Sequence, residues 1–88
     1  MPYIKKENRS ILKSVTTALE NNPPITAGDL NYIITTACLC FLKKNLIINY
    51  QSYNDVIGAL ESSKLEMYRR SIAPYEDTKI TENGDVYV

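Results

Sequence analysis

Tyr68, Arg69 and Arg70, with Tyr75 close behind them, are the residues of this chain best equipped for chemistry. A guanidinium is a planar fork of donors that fits phosphate or carboxylate. A tyrosine ring can stack on a base, worth about 1–3 kcal/mol per base in single-strand binders. Two adjacent arginines flanked by tyrosines could therefore clamp a phosphorylated aromatic ligand, with Asn54 or Glu61 reaching ribose or base. The plainer alternative is that the arginines complement the C-terminal end of a helix and pair with Glu66, Glu76 or Asp77.

Other chemistry has less to draw on. The chain has no histidine, which removes the usual general base and the commonest metal ligand. Glu61 with Glu66 or Asp77 could share acid and base roles, but exposed helical carboxylates are common. Cys38 and Cys40 would point about 200° apart on a helix, so they could share neither a metal nor a disulfide there. They are expected to be small buried thiols. Nucleotide-loop, dinucleotide, hydrolase and metalloprotease patterns are absent, zinc has no ligand set, and ENGDV offers too few oxygens in register for calcium. The expectation is a non-enzymatic protein with no cofactor and no metal.

Eighty-eight residues make one domain, 1–88, with a small core, and such domains often enlist partner chains. Ten basic and ten acidic residues cancel, unlike the strongly basic balance of a generic nucleic-acid binder. The longest apolar run, ACLCFL, is far short of the roughly 20 residues of a membrane span. MPYIKKENRS has no apolar segment after its lysines and does not read as a secretory signal. The expected setting is cytoplasmic.

Three helices must position these residues. The first is predicted over about 6–20, where Ile11, Leu12, Val15, Ala18 and Leu19 share one face, and Pro23-Pro24 ends the segment. The second is predicted over about 26–44. Thr26 fits its N-cap with Asp29 at N3, and Ile25 and Leu30 have the spacing of a hydrophobic staple. Leu30, Ile33, Ile34, Ala37, Phe41 and Leu42 repeat with helical period, so this helix is the expected centre of the core. Lys43 and Lys44 suit its C-terminal end. The apolar link NLIINYQ reads as a tucked-in loop.

The third helix is predicted over about 52–73, capped by Ser52 with Asp55 at N3 and stopped by Pro74. Its expected core face gathers Tyr53, Val56, Ile57, Leu60, Met67 and Tyr68. Beyond it, Asn83-Gly84 is a strong two-residue hairpin signal, with TKITE and DVYV as arms. The fold class is therefore mainly α, a three-helix domain with a C-terminal β-hairpin or extended tail at about 78–88.

The far side of the third helix carries Asn54, Gly58, Glu61, Ser62, Leu65 and Arg69. A glycine inside a helix costs roughly 1 kcal/mol relative to alanine. What it offers is close approach by another backbone or a ligand, and Leu65 is an apolar residue on the same side. Gly58, Ser62 and Leu65 are therefore read as a contact face, for another helix of this chain, a second copy or a foreign partner. The bland reading is a tolerated glycine and an ordinary exposed leucine.

The pieces MPYI, GDLNY, NDVIGALE, KLEMYRR, APYED and ENGDV, spread over nearly the whole chain, resemble a family of small uncharacterised proteins from tailed bacteriophages and bacteria. The resemblance implies a phage setting and no settled chemistry. Small phage proteins of this kind are often accessory factors. One class sequesters nucleotide-type immune signals as helical homo-oligomers, and another blocks a host protein directly. The leading expectation is a homo-oligomeric counter-defence protein that sequesters a nucleotide signal through Asn54, Glu61, Tyr68, Arg69, Arg70 and Tyr75. The alternative is an inhibitor or adaptor that meets a host protein through the third-helix face.

Overall fold

The computed structural model describes residues 3–44 and 47–87. They group into two units, Tyr3–Val56 and a second built from Ile57 onward. Among the described residues every regular element is helical.

In the first unit, α1 (Lys6–Arg9), a tight 3₁₀ turn (Ser10–Leu12) and α2 (Lys13–Asn21) fill the span expected for the first helix. The hydroxyl of Ser10 donates to the carbonyl of Glu7 and that of Thr16 to the carbonyl of Lys13. Such back-bonding to the preceding turn commonly accompanies bends. Asn22 leaves helical geometry just ahead of the two prolines.

α3 (Ala27–Lys43) starts where its cap requires. Thr26 Oγ1 accepts the Asp29 N–H at 3.0 Å, and Asp29 Oδ2 accepts the Thr26 and Ile25 N–H groups at 3.2 Å each. This closes the reciprocal box and satisfies donors the helix start would leave open. The staple does not close, because Ile25 stays 89% exposed.

The next helix, α4 (Tyr50–Met67), begins earlier than its sequence suggests. Its cap is Asn49, not Ser52. Asn49 Oδ1 accepts the Ser52 N–H at 2.9 Å and the Ser52 hydroxyl at 3.1 Å. Asparagine caps as well as serine, and placing the cap three residues upstream turns Ser52 into a buried N3 residue. Asp55 instead accepts from Gln51 Nε2 at 2.7 Å. Of the link expected to be a tucked-in loop, Asn45 and Leu46 lie outside the described residues. Ile47 and Ile48 are non-helical and exposed, while Tyr50 and Gln51 already belong to α4.

The largest departure follows α4. Pro74 does not stop the helix, and no hairpin forms over 78–87. Val88, at the end of the expected hairpin, lies outside the described residues. The chain passes through a π turn (Tyr68–Ile72) into α5 (Ala73–Asn83). Within the turn the Ala73 N–H reaches back five residues to the Tyr68 carbonyl. A proline inside a regular helix lacks the N–H for residue i−4 and crowds its carbonyl, here that of Arg70. The widened turn relieves that conflict. Pro74 then lies in the first turn of α5, where its missing N–H is no loss. Gly84 does adopt positive φ, at 88°, with ψ 147°, a region essentially reserved for glycine. It ends α5 instead of turning a hairpin, a common use of glycine after a helix.

A single small core was expected. Among the described residues, Leu42 is the one buried apolar side chain and Ser52 the one buried polar side chain. Val15, Leu30, Ile57, Leu60 and Met67, all assigned to core faces by their spacing, are exposed. In the first unit, α2 and α3 stand apart around an open apolar groove. The second unit is one helical run with a short tail, so its apolar face has no second helix of the same unit to lie on.

Candidate functional site

The π turn carries the residues singled out for phosphate and base. Arg69 Nη2 lies 2.6 Å from Glu66 Oε1, and Arg70 Nη1 lies 3.9 Å from the same oxygen. Glu66 is 18% exposed, whereas the two arginines are 68% and 61% exposed. One half-buried carboxylate thus gathers two outward guanidiniums, as i,i+3 and i,i+4 spacing allows. Arg69 and Arg70 are therefore already engaged by a carboxylate in the isolated chain.

Tyr68 is tied across the turn. Its hydroxyl donates to Glu76 Oε2 at 3.1 Å. That bond, and then the negative charge of Glu76, raise the phenol above its ordinary value of 10.0. Tyr75 does not join this group. It is exposed, and Lys79 Nζ lies 5.5 Å from its ring centroid, within the range of a cation–π contact. Lys79 also pairs with Glu82 at 3.1 Å.

Glu61 pairs with Lys64 at 3.0 Å. It precedes Arg69 by eight residues, about 12 Å of helix rise, so within one chain it does not meet the arginines. Asn54 is exposed and belongs to the first unit. Of the six residues assigned to ligand binding, the structure gathers Tyr68, Arg69 and Arg70 on one turn and leaves Glu61 and Tyr75 apart.

On the proposed contact face, Leu65 is exposed and Ser62 half-buried. A Cβ built on Gly58 meets nothing within 4 Å. Among the described residues no close contact therefore accounts for the glycine.

Sequence reasoning missed two features. One is a shallow notch of about 310 Å³ between α5 and the tail, lined by Glu76, Lys79, Ile80, Gly84 and Tyr87 among others. The Tyr87 N–H donates to Asp85 Oδ1 at 2.9 Å beside it. The signal for a helix there was the glycine after Asn83. The other is the groove between α2 and α3, of about 490 Å³, with Leu12, Val15, Ile33 and Ala37 in its lining. Cys40 faces this groove and is exposed, and Cys38 is only half-buried, so neither is the buried thiol expected. Among the described residues no cluster of potential ligands could hold a metal ion, and no helix is long and apolar enough to cross a membrane.

These features define a small, mainly helical chain with a charged π turn and, among the described residues, many exposed apolar side chains. The chain belongs to the family described as a domain of unknown function, DUF6899, which matches residues 1–86. No curated protein and no solved structure matches it.

Proposed function

We propose that this protein is a non-enzymatic accessory factor that works as a homo-oligomer and acts by capture, binding a target and withholding it. The observation that carries this reading is that, among the described residues, Leu42 is the one buried apolar side chain of many at helical spacing. Apolar faces of this extent belong to surfaces that other molecules cover. In the phage setting implied by the resemblance, the place of action is the cytoplasm of an infected bacterium.

For the target, we favour a nucleotide-type immune signal. Supporting it is the coincidence of the Tyr68-Arg69-Arg70 run with a π turn, since such turns occur frequently at functional sites. Copies would meet near Gly58, Ser62 and Leu65. Glu61 and Tyr75, which stand apart from the arginines within one chain, would then complete the site from neighbouring chains, together with Asn54.

A second reading, a protein-binding inhibitor or adaptor, has its own observation. Glu66 already engages both guanidiniums, and Glu76 already accepts from Tyr68. A prepaired charged patch beside exposed apolar residues suits the polar rim of a protein interface.

The test is native mass spectrometry of the wild type and of an Arg69→Glu/Arg70→Glu variant, each with a panel of cyclic nucleotides and ADP-ribose derivatives. An oligomer that gains stoichiometric nucleotide mass only as wild type supports sequestration. No added mass on either form, with a host protein co-purifying with the wild type alone, supports the inhibitor. A monomer with neither ligand nor partner overturns both.

A further inference from the structure

The charges around the π turn constrain the charge of its ligand. Resting on the nucleotide reading above, we propose that this site takes a small cyclic nucleotide through a singly charged phosphodiester and turns away ordinary nucleoside mono- and triphosphates. Glu66 is the residue that sets this selection.

Glu66 lies about one helical turn before both arginines. Its Oε1 stands 2.6 Å from Arg69 Nη2 and 3.9 Å from Arg70 Nη1, the second distance beyond hydrogen-bond reach. The carboxylate is largely covered, while both arginine side chains are mostly exposed. Its charge therefore stays under the pair when a ligand arrives from solvent. Two guanidiniums over one carboxylate leave a single positive charge to spare. The planar forks suit the two unesterified oxygens of a diester.

That spare charge is offset close by. Glu76 accepts the Tyr68 hydroxyl at 3.1 Å, and Asp77 follows it. From Glu66 to Glu82 three cations, Arg69, Arg70 and Lys79, stand against four carboxylates, Glu66, Glu76, Asp77 and Glu82, which leaves one net negative charge. Lys79 is itself paired with Glu82 at 3.1 Å. A terminal phosphate carries about −1.5 to −2 at neutral pH. Charge beyond the first unit meets carboxylates here, and it brings more hydration to shed. Built-in repulsion of this kind is one way a site rejects a close analogue.

Tyr68 fits the other half of the ligand. Its hydroxyl is tied to Glu76, which holds the ring across the turn, yet the side chain is 46% exposed. A held, half-open ring can take a base by stacking with little further ordering. A nucleic-acid strand repeats the diester but brings a charge at every phosphate, so the same carboxylates disfavour it. A lipid headgroup offers the diester without a base.

The experiment is calorimetric titration of the full chain at low salt with 3′,5′-cyclic nucleotides, the matching 5′-monophosphates, ATP and ADP-ribose. Each cyclic nucleotide shares base and sugar with its monophosphate and differs at the phosphate. The expected result is a cyclic nucleotide that binds about tenfold more tightly than its monophosphate, with no competition from ATP. Glu66→Gln keeps an acceptor for Arg69 and removes the charge, so it should close most of that gap by tightening the monophosphate. Should that variant unfold, Glu76→Gln, at an exposed position, should narrow the gap in the same direction.

A monophosphate or ATP that binds wild type as tightly as the cyclic form overturns the proposal and leaves the nucleotide reading standing. So does ADP-ribose bound in place of the cyclic nucleotides, or a gap that neither substitution changes. Tighter binding of a single-stranded oligoadenylate overturns it in favour of nucleic acid, and equal binding of glycerophosphocholine in favour of a lipid headgroup. No nucleotide bound by any form fails the proposal and the nucleotide reading together.

Discussion

Asp29 does two jobs at the start of α3, and both need its charge. It accepts the N–H groups of Thr26 and Ile25, and these bonds hold its carboxyl below the ordinary value of 3.8. A carboxylate with a depressed folded value stabilises the fold above its unfolded value and loses that contribution as pH falls through the folded one. The cap should therefore hold at neutral pH and weaken below the ordinary value. Thr26→Ala should cost about 1 kcal/mol in urea unfolding at neutral pH. Asp29→Asn should flatten the acid limb of the stability profile. An unchanged acid limb would show that the box does not operate in solution.

Tyr68 has the opposite sign. Its phenol is raised by the hydrogen bond to Glu76 and by that carboxylate's charge, so its contribution is complete below pH 10 and lost as pH climbs through the raised value. In an alkaline titration followed by tyrosinate absorbance, one of the seven tyrosines should ionise after the others. Glu76→Ala should return it to the group. A single uniform transition in the wild type would contradict the bond.

At the scale of elements, Pro74 is the residue that shapes the π turn. The turn adds an extra residue to the helical repeat, and the Tyr68–Glu76 bond spans it. Pro74→Ala removes the conflict that the wide turn relieves. The turn should tighten to a regular helix and rotate α5 by about 100° relative to Tyr68. The prediction is higher helicity by circular dichroism and an ordinary titration for Tyr68. Higher helicity with Tyr68 still raised would mean that something else sets the turn.

The same elements show what the sequence carried. The Thr26–Asp29 box was legible because a capping box is local, written in residues three apart. Asn49 was missed because two adequate caps, Asn49 and Ser52, stand three residues apart, and propensity does not rank them. Pro74 was read as a stop because its effect on the preceding residue is local, whereas a π turn is a compromise along the whole helix. Asn83-Gly84 was read as a two-residue turn, but Asn83 stays helical and only Gly84 takes positive φ, a conformation that serves a helix end as readily as a hairpin. At the turn, the spacing that groups Arg69 and Arg70 with Glu66 is also local and was foreseen among the pairs. The bond from Tyr68 to Glu76 depends on the extra residue and was not.

For the whole molecule, helical periodicity marked which residues seek burial but not what buries them. Ile57, Leu60 and Met67 share a face, and within their own unit no other helix covers it. On the proposed homo-oligomeric reading, another copy would supply that cover. Gly58, with open space around its Cβ position, gives a control at this scale. Gly58→Ala should stabilise the helix by roughly 0.5–1 kcal/mol, while Gly58→Leu should lower the oligomer mass if copies also meet on that face.

The most direct measurement is sedimentation equilibrium of the purified wild-type chain across a wide concentration range, with helicity recorded at each point. The account predicts a discrete multiple of the 10.0 kDa chain mass, with loss of ordered structure as dilution releases single chains. A monomer that stays fully helical and cooperatively folded at every concentration would contradict it.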